Sequence, residues 1–124
     1  MTTITINNED YEIVNLTPHD VVLMDSSDNI IVTIPSSGVA RAEQSDLEVN
    51  KATINGKSFS LVVPSYGDVV DLPEYDGDTM YIVSKITADA TAGSGRYDLL
   101  GTAGLVRNEK GQIIGCRGLC IYHC

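Results

Sequence analysis

Four arginines are the side chains of this 124-residue chain best suited to grip a ligand: Arg41, Arg96, Arg107 and Arg117. A guanidinium is a planar fork that holds a carboxylate or phosphate through two parallel hydrogen bonds. Arg107 and Arg117 flank one stretch, 105–118, that reads as a β-hairpin with its loop at 108–111. With Arg107 opposite Gln112, strict alternation sends the two arginines to opposite faces. A bulge at Gly115 would bring them onto one face, and glycine is the residue that permits it. The chemistry expected of them is an anion or nucleotide pocket shared with Arg41 or Arg96. The plainer alternative is ion pairing with some of the 17 acidic side chains.

Other candidates surround this set. His19 follows a rigid Thr17-Pro18 turn and could donate to a phosphate or carry a proton; its ordinary role would be to cap turn carbonyls. Tyr66, in Ser65-Tyr66-Gly67, and Tyr81, with Ser84 nearby, could stack a base and contact a ribose; equally, Tyr81 could be core and Tyr66 turn packing. Gly93-Ser94-Gly95-Arg96 is a weak phosphate-loop pattern that reads more simply as a linker. No serine or cysteine stands in a nucleophile elbow, and there is no dinucleotide-binding or Walker glycine pattern. Cys116, Cys120, His123 and Cys124 crowd one terminal run without the paired clusters zinc sites use. Cys116 reads as a small buried hairpin residue, and Cys120 and Cys124 as a reducible tail. Asp71, Glu74, Asp76 and Asp78 read as solvated charge and do not follow a calcium-loop pattern. No catalytic residue, metal or cofactor is assigned.

Composition narrows the partners. A net charge of −9 opposes nonspecific binding to DNA, RNA or an anionic membrane, but a local cationic cluster can still take a small anion. No segment approaches the ~20 apolar residues of a membrane span, and the start of the chain lacks the basic and apolar runs of a signal peptide. An odd cysteine count then implies free thiols in a reducing cytosol.

The elements that must position these residues are mostly strands. Apolar runs at 21–24 and 30–34 bracket a five-residue polar loop, and Asn55-Gly56 marks a type I′ hairpin turn between 50–54 and 57–63. Pro64 is expected to break the second of these strands, with a separate short strand at 68–72. Residues 79–83 read as a buried strand. Ser84 then caps a short helix over about 84–92, stopped by Gly93. Strands near 11–16, 99–100 and 105–107 complete the pattern. With 43% hydrophobic residues and no tryptophan, Val, Ile and Leu must fill the core. The expected fold is one mainly β domain over 1–124, a small antiparallel β-barrel or sandwich with one short helix, residues 1–10 and 120–124 being peripheral.

Asn15-Leu16-Thr17-Pro18-His19, Pro35–Arg41, Tyr81–Ser84, Asp98-Leu99-Leu100, Val106-Arg107 and Gly115-Cys116-Arg117 occur in an order that resembles a family of short uncharacterised proteins encoded by phages, prophages and some plasmids. The resemblance spans about residues 13–119 and includes His19, Arg41, Ser84, Arg107 and Arg117. The acidic turn at 74–78 and the cysteine tail depart from it. By analogy with small phage proteins that soak up nucleotide second messengers, the expected function is counter-defence in the cytoplasm of an infected host. Such a protein would sequester a cyclic oligonucleotide or cyclic ADP-ribose type signal without cleaving it, as a homo-oligomer. The alternatives are an enzyme acting on such a nucleotide through His19, and a virion or assembly protein with structural arginines.

Overall fold

Nine strands and one short helix make up the computed structural model, which describes residues 2–123. In order they are β1 (Thr2–Ile6), β2 (Glu9–Asn15), β3 (Val21–Met24), β4 (Ile30–Ile34), β5 (Arg41–Ile54), β6 (Lys57–Val70), β7 (Thr79–Ile82), α1 (Lys85–Ala90), β8 (Leu99–Arg107) and β9 (Ile113–Ile121). The domain is mainly β with one short helix, the class that the alternating pattern implies.

Seven strands form one sheet in the order β1-β2-β7-β8-β9-β3-β4. It nearly closes on itself. β1 covers the outer edge of β2 from Glu9 to Ile13, and Ser36, just past β4, takes up the same edge at Asn15. The Ser37 N–H donates to the Asn15 carbonyl at 2.8 Å. The sheet is mixed: β2–β7, β7–β8 and β3–β9 are parallel, and the remaining pairs antiparallel. The parallel β7–β8 pair follows from the helix between them, because a parallel neighbour needs a crossover connection. Ser84 caps that helix, its Oγ accepting the Thr87 N–H at 3.3 Å, and Gly93 follows its end at φ 79°.

β7 is buried on both faces, as a central parallel strand must be. Met80 and Ile82 join Ile13, Val21, Ile34, Leu100 and Cys116 in one core cluster. Tyr81 and Val83 face the other way, joining Leu16, Ala40, Leu99 and Ala88 of α1 in a second. Thr87 is buried despite its hydroxyl because that group donates to the Ala40 carbonyl at 3.2 Å.

Closure rests on Asn15, which is fully buried. Its Nδ2 donates to the His19 carbonyl at 2.7 Å and to the Ile34 carbonyl at 3.0 Å. Its Oδ1 accepts the Thr17 N–H at 3.0 Å and the Thr17 hydroxyl at 2.6 Å. Both donors and both lone pairs of the amide are used.

The expected break at Pro64 does not occur. β6 runs unbroken to Val70, with Pro64 opposite Asp46 on β5. The two strands form a separate two-stranded ribbon, so each has a free edge where a missing N–H can face solvent. Asn55 and Gly56 make its turn at φ 52° and 75°, the geometry expected of type I′.

Asn15→Ala leaves two carbonyls and one amide at the seam without partners, and the expected loss of unfolding free energy is about 2–4 kcal/mol. Asn15→Asp keeps the size but turns a lone pair toward two carbonyls, and is expected to cost at least as much. Urea unfolding of the three proteins measures both effects.

Candidate functional site

The turn held by Asn15 opens onto a cavity of about 600 Å³ at one end of the barrel. Its wall is apolar, formed by Val22, Ile82, Leu105, Ile113 and the buried Cys116. Its rim is polar: Thr17, His19 and Asp20 from the turn, Ser84 and Lys85 from the helix start, and Tyr122 from the tail. A second hollow of about 360 Å³ adjoins it, sharing Thr17 and Ser84 and adding Arg41. His19, Ser84 and Arg41, which are far apart in sequence, are therefore brought to one end of the molecule. The parallel pairing of β2 with β7, which brings the ends of both strands together, and the start of β5 beside the helix put them there.

Local chemistry sets each of these groups. The His19 carbonyl is fixed by the Asn15 amide, leaving the exposed imidazole free of that clamp. Lys85 Nζ lies 2.8 Å from Asp89 Oδ2, one turn along the helix. The hydrogen bond to Asp89 raises the Lys85 ammonium above its ordinary value, so the cation is held at the rim. Burial pushes the Tyr122 phenol up and the Cys116 thiol up. The Cys116 Sγ–H donates to the Val22 carbonyl at 3.6 Å. A protonated, buried thiol is a weak nucleophile. Two glycines make the close approaches at this end. A Cβ on Gly101 would lie 2.2 Å from Tyr122 Oη, and one on Gly115 would lie 2.5 Å from Met24 Sδ.

The other predicted residues lie elsewhere. Arg96 grips Asp98 through two hydrogen bonds, Nε to Oδ1 at 3.0 Å and Nη2 to Oδ2 at 2.9 Å, and Asp98 is buried. The β8–β9 hairpin does carry a bulge, between Val106 and Arg107, beside Gly115. The two guanidiniums nevertheless take separate partners: Arg107 donates to the Gly111 carbonyl at 2.8 Å, and Arg117 pairs with Asp28 in the β3–β4 loop. Tyr81 lies in the core beneath α1, where burial raises its phenol. Tyr66 is exposed on β6. Cys124 lies outside the described residues. Cys116 and Cys120 are free thiols. Among the described residues no group of three or more His, Cys, Asp or Glu side chains converges as a metal site.

Thr17, Asp20, Lys85 and Tyr122 are the rim groups that sequence reasoning missed. Lys85 was legible as the first helical residue after the Ser84 cap. Tyr122 was signalled only by Gly101, since a glycine inside a strand marks close approach of another group. Among the described residues no helix is long and apolar enough to cross a membrane. Comparison with family models, with curated proteins and with solved structures gives no match. The class defined by fold and site is thus a small, nearly closed mixed β-barrel with a polar-rimmed, apolar-walled cavity at one end.

The arginines separate into two energetic kinds. Arg96→Ala strands the Asp98 carboxylate in the interior, and is expected to cost about 3–5 kcal/mol of stability. Arg117→Ala breaks an exposed pair and is expected to cost less than about 1 kcal/mol. Denaturant midpoints of the two variants distinguish them.

Proposed function

We propose that this chain binds an anionic, nucleotide-like small molecule at the barrel end and holds it without cleaving it. The observation that carries the reading is the convergence of His19, Ser84 and Lys85 on one apolar-walled cavity, with Arg41 in the hollow beyond Thr17 and Ser84. A flat apolar ring suits the wall formed by Val22, Leu105 and Ile113. Phosphate oxygens suit the donors Lys85 and Ser84 at the rim, where Asp20 also lies, and Arg41 in the adjoining hollow. The cavity volume lies within the range of small-molecule sites, about 300–1,000 Å³.

Turnover through a cysteine nucleophile is disfavoured by the state of the nearest thiol. Cys116 is kept protonated by burial and already donates to Val22, so the wall offers no activated sulfur. The sequence resemblance to phage-encoded proteins supplies the setting. In that reading the ligand is a nucleotide-derived immune signal and the role is its sequestration in the cytoplasm of an infected cell.

Incubation with cyclic di- and trinucleotides and cyclic ADP-ribose isomers tests the proposal. The expected result is depletion of one ligand from solution and its recovery intact when the protein is heat-denatured. Leu105→Trp fills the cavity mouth and is expected to weaken binding at least about tenfold, or 1.4 kcal/mol, with little change in melting temperature. A new product on chromatography would instead mean catalysis. Undiminished binding by Leu105→Trp would move the site, and no depletion of any nucleotide would overturn the reading.

A further inference from the structure

The β5–β6 ribbon stands apart from the barrel sheet and is almost entirely exposed. A lone two-stranded hairpin is marginal in water. This one is also amphipathic. Cross-strand partners share a face, and the register fixes which residues go together. One face carries the rungs Leu47–Val63, Asn50–Leu61, Ala52–Phe59 and Ile54–Lys57. The other carries Glu48–Val62, Lys51–Ser60 and Thr53–Ser58, with Ser60 donating to Glu48 and Lys51 near Glu48 at 3.8 Å. The bulge between Glu48 and Asn50 sets aside Val49 and keeps Leu47 on the same side as Leu61. Leu47, Ile54, Phe59, Leu61 and Val63 are between 41% and 61% exposed, an apolar row with nothing packed on it.

Charge identifies the cover. Residues 41–70 hold three basic and four acidic side chains, a net −1, so the remainder of the chain carries −8 of the total −9. The distal part, 47–63, is net +1, from Lys51 and Lys57 against Glu48. The tip is thus positive and the body strongly negative. On the apolar face the base rung carries Glu43 beside Gly67, where an added Cβ would lie 3.0 Å from the Glu43 Cβ. The tip rung carries Lys57.

We propose that the ribbon is a dimerisation arm that packs face to face against the same arm of a second copy, antiparallel and related by a two-fold axis. In that arrangement the rungs reverse: Leu47–Val63 meets Asn50–Leu61, Ser45–Ser65 meets Ala52–Phe59, and Lys57 of each chain reaches Glu43 of the other. The two acidic bodies lie at opposite ends, beyond the ~8–10 Å screening length, and each sits beside the positive tip of its partner. Twelve residues at ~3.3 Å rise and two strands at ~4.8 Å spacing give a face of about 40 Å by 10 Å. Two such faces remove on the order of 800 Å² before side-chain relief is added, so with that relief the pair reaches the ~1,000 Å² of a specific interface. A two-fold contact also closes, so the apolar face is consumed without a chain reaction of further copies.

The test is the mass of the full-length chain by sedimentation equilibrium over a dilution series. The expected result is a dimer of twice 13.3 kDa that dissociates on dilution. Leu61→Glu is expected to raise the dissociation constant by on the order of 30-fold or more, as at an interface hot spot. Lys57→Glu and Glu43→Lys are each expected to weaken the dimer about 3-fold, and the double exchange to restore it. A monomer at all concentrations, or an assembly indifferent to Leu61→Glu, would overturn the proposal. So would an assembly in which the double exchange fails to recover what either single exchange loses. Because the arm lies outside the barrel, the thermal melt of each variant is expected to stay near that of the parent. If Leu61→Glu did unfold the chain, the charge exchange alone decides. Nucleotide depletion is scored separately, so failure of the arm does not count against the barrel-end site.

Discussion

Asn15 satisfies all four of its hydrogen-bonding positions at the place where the sheet meets itself. A rolled sheet must pair its last strand with its first or leave buried backbone groups without partners. Here β4 ends before it can run alongside β2, and a single bridge at Ser36 carries the seam. The Asn15 amide supplies what backbone pairing lacks, reaching the Ile34 carbonyl on one side and the 17–19 turn on the other. The same amide therefore closes the barrel and shapes the loop that presents His19. Closure and site geometry depend on one buried side chain.

The second organising feature is a strand with no exposed face. β7 sends alternate side chains into the two clusters, one inside the rolled sheet and one under α1. This couples the helix to the barrel and fixes the Ser84 cap at the cavity rim. It also explains why Tyr81, a plausible base-stacking residue in isolation, is a packing residue here. A tyrosine packed among Leu16, Val83, Ala88 and Leu99 contributes mainly buried apolar area.

The arginines illustrate how far residue chemistry alone reaches. All four can bind an anion, and the fold sorts them by what lies within reach. Asp98 is buried two residues from Arg96 and binds it bidentately. Arg107 and Arg117 find a loop carbonyl and a loop carboxylate. For Arg41, by contrast, the structure supplies a place beside the helix start and the Thr17 turn. The hairpin bulge near Gly115 is present but does not unite Arg107 with Arg117, because the pairing from Ala103–Gly118 to Val106–Gly115 is regular and leaves Arg117 opposite Gly104, on the other face from Arg107.

Local chemistry was legible in the sequence wherever it acts over a few residues. The Asn55-Gly56 turn, the Ser84 cap and the strands at 21–24 and 30–34 follow from backbone preference and alternation. So do the mainly β class and the single short helix, whereas that helix ends at Ala90 with Thr91 as its cap, short of the expected stop at Gly93. The run through Pro64 was not legible, because a proline is excluded only from strands with two neighbours, and neighbour count is a tertiary property. Nor was the meeting of His19, Ser84, Lys85 and Tyr122, whose positions are spread over most of the chain. The sequence by itself determined which segments extend, where they turn and which residues carry charge, since those depend on interactions within a few bonds. Only the tertiary structure decided which charges are already partnered, which strand lies buried on both faces and which polar groups share a cavity. Those depend on what the rolled sheet brings within hydrogen-bonding distance.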